Sequence, residues 1–483
     1  MEQRCSSQWG VLLIVSLAVF ILVIDTTTME VSISALVVDL NADVSGIQSI
    51  ITIYTLVKAA FLLIGARLQD IIGRKRTFLV GAAIYSIGTT TAAVSQDATM
   101  LLFGWSILEG VGTVLMLPAT VTFITATYEG KERAFAFGVW GGVAAAASIF
   151  GLIFGGYLTT FYSWRWAFAF ELVILLLIFA LHRMLKETPP TASWKSFDLW
   201  GALLSVLGLT ALVFGILLIK EPAEWVIVPI LITGGIILLF GFFLWDRRQN
   251  RMERGILVDV TILQKHSFLA GNIVAIGQKF ISAGFIFIFP LFYEMVMGAT
   301  AYETGVALLP MSLAIVIFSI LGSRIASWFE PKCVLLGGIA LTGAGLAALR
   351  DVFSLTTTAH DIIPGSLLFG IGLGIVLSQV TNLTVSSIQN DRQTDASGIY
   401  NTSRQLGSSI GTAIIGIVLA LGFIHGLFSN MPSPFPSGQP LLSIGISEAA
   451  VNQGMEWAFM VMILVVTGMF IAALFIRKTG KIV

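Results

Sequence analysis

GIQSIITIYTLVKAAFLLIGARLQDIIGRKR, residues 46–76, is the stretch that decides the fold. Its first part is mainly apolar with Lys58 as its one charge, and it closes on Arg67, Arg74, Lys75 and Arg76. A helix needs roughly 20 mainly apolar residues to cross a bilayer, and Lys and Arg gather at the cytoplasmic ends of such helices. The stretch therefore predicts a membrane crossing that runs inward and stops in a short basic turn.

Outward from it the pattern repeats. Apolar runs of spanning length lie at 11–33, 46–66, 77–95, 99–124, 134–158, 166–185, 199–219, 225–245, 268–293, 304–323, 333–349, 362–388, 396–424 and 457–476, fourteen in all. Hydrophobic residues make up 56% of the chain and charged residues only 11%, where soluble domains carry about 25% charged. With the N-terminus in the cytoplasm, 21 of the 27 Lys and Arg fall in cytoplasmic segments. Three others, Arg165, Lys220 and Arg350, fall outside, and Lys58, Lys279 and Arg404 fall within spans. This bias predicts a multi-pass protein of the plasma (inner) membrane with both termini cytoplasmic. Asp25 and Glu30 interrupt the first apolar run and no small-residue cleavage site follows, which marks a retained helix and not a signal peptide.

Several function classes drop out. A formal net charge of zero leaves no nucleic-acid footprint, and no Gly-rich phosphate loop of the P-loop kind is present. Cys5 and Cys333 sit in different contexts with no ligand cluster around them, so neither a disulfide, a metal site nor any other cofactor is expected. No nucleophile–base pair is visible, which argues against an enzyme.

Organisation points to a duplicated all-α bundle. GARLQD (65–70) after span 2 and GSRIAS (322–327) after span 10 share a Gly-x-Arg-apolar-x-polar string. They fall at equivalent places if residues 1–190 and 251–483 are two six-helix bundles and 191–250, with spans 7 and 8, is an inserted hairpin. Repeated halves with a binding site between them near the midplane are a recurring transporter plan. Small residues at helix-packing spacing, Ala147, Gly151 and Gly155, Gly370 and Gly374, Gly407 and Gly411, let backbones approach closely. They fit fixed packing and a rocking interface equally well.

These residues carry a family resemblance over nearly the whole chain. Asp25-Thr26-Thr27 and LQDIIGRKR (68–76) resemble the first-span and loop motifs of the fourteen-span drug:proton antiporters of the major facilitator superfamily. Gly110, Gly112 and Pro118, Glu132-Arg133 through Trp140, Gly155-Gly156, Trp164-Arg165-Trp166 with Phe168, Phe197-Asp198 with Gly201, and Ala396-Ser397-Gly398, Asn401 and Arg404-Gln405-Leu406-Gly407 follow in the family's order. The resemblance implies proton-driven export of small organic or amphipathic molecules by alternating access, with Asp70, Gly73, Arg74 and Lys75 as a conformational gate. It also implies a cavity faced by spans 1, 2, 4 and 5 on one side and 9, 10, 12 and 13 on the other. Departures stand at informative places: Ala66 and Ile71 in the loop, Ser106 for an expected Arg, Glu109 for Gln, Leu152 for Pro and Glu171 for Asn. In that family the span 4 Arg is implicated in proton coupling and the span 5 Gly-Pro in antiport, so Ser106 and Leu152 bear on drug:proton exchange more than on the fold, and coupling then requires that Glu109, balanced by Lys58, or Asp25 carry the proton.

Charges within spans are costly, about 2.5 to 3.5 kcal/mol each on insertion scales, and are functional candidates by default. Lys58, Glu109, Lys279 and Arg404 fall roughly 12 to 16 Å from the cytoplasmic face, Asp25 and Glu171 deeper, and Glu30 near the outer rim, at a rise of about 1.5 Å per residue. Asp25 and Glu109, balanced by Lys58, are the candidate proton-coupling groups, because an apolar surrounding disfavours the charged form of a carboxylate. Lys279, Gln278, Gln379, Asn382, Asn401, Arg404, Glu30 and Glu171 are candidates for the substrate cavity, with Trp105 and Trp140 as aromatic lining. Structural roles stay open: Glu30 in outer water, Glu171 paired with Arg165, a static Lys58–Glu109 pair, and Arg404 bonded to backbone carbonyls. The expected partners are a small-molecule substrate, protons and the lipid bilayer, with the protein a monomer. A carrier for an anionic or zwitterionic solute, and a non-transporting receptor or assembly protein, remain alternatives.

Overall fold

The computed structural model describes residues 2–42, 44–187, 190, 192–219, 226–252, 255–295, 297, 299, 301–354, 357–389, 392–429 and 448–476, and among these the chain is helical with no strand. The helices are α1 (Glu2–Val31), α2 (Ile33–Asp39), α3 (Val44–Ile72), α4 (Arg74–Ala93), α5 (Ala98–Leu101), α6 (Gly110–Thr127), α7 (Gly130–Phe161) and α8 (Arg165–Leu181). They continue as α9 (Leu199–Leu218), α10 (Val228–Arg251), α11 (His266–Met295), α12 (Ala301–Trp328), α13 (Pro331–Arg350), α14 (Ala359–Val385), α15 (Gln393–Ser429) and α16 (Glu448–Leu474). A π-helical stretch, Leu102–Glu109, joins α5 to α6.

Among the described residues, 13 helical segments are long and apolar enough to cross a membrane. The sequence span at 77–95 is the one that differs. Its helix α4 has 20 residues, about 30 Å at 1.5 Å per residue, but Arg74, Lys75 and Arg76 at one end and Thr89, Thr90 and Thr91 at the other dilute its apolar character. Gly73 alone joins α3 to α4, at φ 99° and ψ 145°, a backbone region that a Cβ makes costly. The turn is held by Gly73 N–H to the Gln69 carbonyl and Thr77 N–H to the Gly73 carbonyl, each 3.0 Å.

Helices α1, α3, α4, α6, α7 and α8 pack among themselves, as do α11 to α16, while α9 and α10 pack on each other and reach α3 and α15 through α9. Large apolar side chains such as Leu176, Ile237 and Leu464 are turned outward, as lipid-facing residues are. The small-residue runs sit inside the two groups. Gly151 and Gly155 face Thr27 and Thr28 of α1, Gly370 and Gly374 face Met311 and Ile315 of α12, and Gly407 and Gly411 face Ile276 and Phe280 of α11. Their role in this structure is fixed packing within a group.

Contact between the groups is made by other residues. A Cβ on Gly398 of α15 would lie 2.8 Å from Cβ of Ala66 on α3, and one on Gly138 of α7 would lie 2.7 Å from the Ser319 carbonyl on α12. Ser397 Oγ donates to the Pro118 carbonyl at 3.1 Å, and Arg133 Nη1 donates to Ser386 Oγ at 3.3 Å. All four contacts lie toward the helix ends that carry the α3–α4 turn, here termed the basic side. Toward the opposite side α7 and α12 still meet, at Ile153 and Gly305.

Candidate functional site

The π-helical stretch is where the site begins. Asp97 caps α5 by accepting the Met100 N–H at 2.8 Å, and the helix then widens over LFGWSILE before narrowing into α6. Such widened turns turn side chains off the register of a regular helix and recur at functional sites. Gly88 of α4 makes room for this one: a Cβ there would stand 2.6 Å from the Gly104 carbonyl oxygen and 2.7 Å from Cγ of Glu109. Ser106, where the resembled family has an Arg, is fully buried and donates to the Ile50 carbonyl of α3 at 2.7 Å.

The widened turn directs Glu109 toward Asp25 of α1 and Glu171 of α8. One carboxylate oxygen from each lies within 4.8 Å of the others, and the three residues are 0%, 1% and 2% exposed respectively. Trp105 Nε1 donates to Asp25 Oδ1 at 2.6 Å, and Tyr85 O–H donates to Glu171 Oε2 at 3.1 Å. Asp25 Oδ2 and both oxygens of Glu109 have no hydrogen-bond partner. A buried carboxylate without donors is expensive in a low-dielectric surrounding.

Lys58 lies on the other side of an aromatic layer. Its ammonium stands 4.0 Å from the centre of the Tyr54 ring and donates to Thr26 Oγ1 at 3.4 Å, while Tyr54 stacks on Trp105 at 4.5 Å. A static Lys58–Glu109 pair is therefore absent, since neither Glu109 oxygen has a donor. The Glu171–Arg165 pairing is absent too: Arg165 pairs with Asp39 and donates to the Ser95 carbonyl at 2.6 Å. Lys58 and Glu109 share a depth, but depth along a helix says nothing of which way a side chain faces. Glu30 belongs to α1, but its side chain lies outside the described residues.

The second group contributes basic residues. Lys279 on α11 is half-buried, and its electrostatic neighbours are Arg404 on α15 and Lys58 on α3. Arg404 is 8% exposed, with its guanidinium 5.2 Å from the Trp140 ring of α7 and 5.5 Å from the Tyr400 ring. Its Nε has no partner, and it makes no bond to a backbone carbonyl among the described residues, so the carbonyl-bonded role is not the one it plays. The amides are tied locally. Gln278 donates to Ser282 Oγ at 3.1 Å, Gln379 to the Gly322 carbonyl at 3.1 Å and Asn401 to the Ser397 carbonyl at 3.0 Å, while Asn382 accepts from Ser386 Oγ at 3.2 Å.

At the basic side, Arg67 pairs with Asp70 at 3.4 Å, and Asp70 lies within reach of Thr394 and Asp395 at the start of α15. Lys75 Nζ donates to the Leu185 carbonyl at 2.9 Å, which fastens the turn to the end of α8. Tyr54 and Tyr85 complete the acid trio and were not singled out from sequence. A tyrosine in an apolar span resembles any other aromatic until its partner is placed opposite.

Comparison with known proteins agrees with this geometry at the level of the fold. A family model described as Major Facilitator Superfamily matches residues 15–412. The chain is 27% identical over 417 residues to the puromycin resistance protein of Streptomyces alboniger, covering 85% of this chain and 81% of that protein. It is 27% identical over 419 residues to the tetracenomycin C resistance and export protein of Streptomyces glaucescens, covering 85% and 76%. Among solved structures, a proton:xylose symporter superposes with a TM-score of 0.65 at 13% identity, covering 99% of this chain and 98% of the other.

Proposed function

Because the chain belongs to the Major Facilitator Superfamily, we propose that it is a proton-coupled exporter of small organic molecules that works by alternating access. The observation that carries this reading is the carboxylate trio Asp25, Glu109 and Glu171, buried and short of donors. Two unit charges 4.8 Å apart repel by about 3 to 4 kcal/mol at an effective dielectric of about 20, so the trio is stable only with protons among its oxygens. Loading and emptying it would change the charge inside the first helix group and thereby the preference between conformers. Relatives named for antibiotic resistance and export support export as the direction.

In this reading α4 is a true crossing, giving fourteen spans in two six-helix bundles, 1–190 and 251–483, linked by the 191–250 hairpin. Both termini are cytoplasmic and the basic side is the cytoplasmic side. The contacts at Ala66–Gly398 and Gly138–Ser319 then belong to a conformer closed toward the cytoplasm, with Asp70 at the start of α15 as part of the latch. The test is a substrate panel on inside-out vesicles carrying an internal pH dye. Substrate-dependent proton efflux is the expected result. Solute flux indifferent to the pH gradient would overturn the coupling, and binding without flux would overturn transport itself.

A further inference from the structure

The outward face of α10 ends in two arginines that share a cavity. Ile230, Ile237, Phe240 and Leu244 are each half or more exposed, and their spacing of seven, three and four residues puts them on one face of the helix. Arg247 and Arg251, both exposed, continue that face three and then four residues further on. Arg247 stands 19 residues after Val228, about 28 Å along the helix at 1.5 Å per residue, and the hydrocarbon core is about 30 Å thick. A lipid-facing apolar stripe therefore runs straight into two guanidinium groups at headgroup level, on the basic side.

The chain that follows builds the rest of the cavity. It folds back into a short turn, Val260–Gln264, fastened beside the end of α10: Val260 N–H donates to Asp246 Oδ2 at 3.3 Å, and Asn250 Nδ2 donates to Asp259 Oδ1 at 3.2 Å. Arg247, Asn250, Arg251, Thr261 and Gln264 line a cavity of about 310 Å³, a volume at the lower end of small-molecule sites. None of the five carries negative charge. The Thr261 hydroxyl is taken by Asp259, which leaves two guanidinium forks and the amides of Asn250 and Gln264 as donors. The acids of this corner lie behind the lining. Asp246 is fully buried, and Asp259, 4% exposed, pairs with Arg392. Among the described residues neither Arg247 nor Arg251 takes part in an ion pair. Basic residues in a last turn also suit the helix dipole, a role that Arg248 and Arg251 share. Arg248 is not among the residues lining the cavity, and it serves below as the control.

We propose that this cavity binds the phosphodiester headgroup of an anionic phospholipid from the leaflet at the basic side, with the acyl chains lying along Leu244, Phe240 and Ile237. Guanidinium forks match phosphate oxygens in charge and geometry, and basic pockets beside membrane helices take headgroups of this chemistry. A soluble phosphate offers the same oxygens but leaves the apolar stripe unused, so the lipid is the occupant that fits both parts of the face. The inference requires that α10 crosses the membrane and is independent of transport and of proton coupling.

The test is native mass spectrometry of the full-length wild-type protein, purified in a neutral detergent and titrated with dioleoyl phosphatidylglycerol, dioleoyl phosphatidylcholine or glycerol 3-phosphate. The first phosphatidylglycerol should bind at least tenfold more tightly than phosphatidylcholine, and glycerol 3-phosphate should not displace it at equal concentration. A smaller preference between the two lipids overturns the proposal. Displacement by glycerol 3-phosphate would make the occupant a soluble phosphate and overturn the lipid assignment. Arg247→Gln and Arg251→Gln should each weaken phosphatidylglycerol binding at least fivefold. Arg248→Gln, the same change of charge outside the cavity, should weaken it less than twofold. Equal loss in all three would mean that the surface charge at large holds the lipid, and unchanged binding in the first two would place the lipid elsewhere; either result overturns the proposal. All three arginines are exposed, so the comparison does not turn on folding.

Discussion

At the residue scale the structure offers variants that remove a proton site and little else. Asn at position 25 still accepts from Trp105, and Gln at position 171 still accepts from Tyr85, because each amide keeps the oxygen that the bond uses. Glu109→Gln removes a carboxylate that has no donor to lose. Each of the three is therefore expected to leave folded yield near wild type, to lower gradient-driven accumulation at least tenfold, and to leave substrate exchange without a gradient largely intact. Accumulation and counterflow in the same proteoliposomes measure this. If Glu109→Gln accumulates substrate normally while Asp25→Asn does not, the proton is carried by Asp25 alone and the trio is a structural cluster. Trp105→Phe behaves differently. It strips the donor from a buried carboxylate, a change that costs about 1 to 3 kcal/mol, and it should lower the thermal midpoint of the solubilised protein.

At the element scale the π-helical stretch and the α3–α4 turn are the two places where backbone geometry governs the site. Gly88→Ala puts a methyl group 2.6 Å from the Gly104 carbonyl, and overpacking of this kind costs about 1 to 3 kcal/mol. The widened turn should partly relax and Glu109 should leave its place, so that coupling falls further than the lowered thermal midpoint alone explains. Gly73→Ala forces a Cβ into a backbone region that costs about 1 to 3 kcal/mol, and its effect should appear in turnover, since the turn positions Asp70 and not the cavity. Substrate affinity changed more than turnover in Gly73→Ala would count against a gate there. Much of this scale is legible in the sequence. The apolar runs mark the long helices, and Gly73 marks the turn because Gly followed by Arg-Lys-Arg can neither continue the apolar helix nor cross the membrane. The acid trio is not legible, because spacing along a chain gives the depth of Asp25, Glu109 and Glu171 but not their azimuth. A π-helical turn shifts azimuth without a residue signature, and Glu109 is the residue it shifts. Lys58 shares a depth with Glu109 but faces Tyr54, and Arg165 is drawn to Asp39, a residue on the short helix α2 that span assignment passes over.

At the scale of the whole molecule the two helix groups are held together on the basic side by small residues, and this gives a test of motion. With Cys5 and Cys333 replaced by Ser, the pair Ala66→Cys and Gly398→Cys places two Cβ atoms 2.8 Å apart, so the helices need part by only about 1 Å to reach the roughly 3.5 to 4.5 Å that a disulfide spans. Oxidation should join them and stop transport, and reductant should restore it. Full activity in the oxidised protein would show that α3 and α15 need not part. Orientation is tested by single cysteines: those placed at 247–265 should label only from the cytoplasm and those at 430–450 only from outside. The trio also bears on how the protein is made. Asp25 and its donor Trp105 are 80 residues apart, which at roughly 5 to 20 residues per second is about 4 to 16 seconds of synthesis. Over that interval the first helix waits in the membrane without the indole donor that Asp25 has in the finished fold. Biogenesis thus has a vulnerable window that narrows when the fourth span arrives, and Trp105→Phe should widen it, seen as faster degradation of newly made chains by the membrane's quality-control proteases.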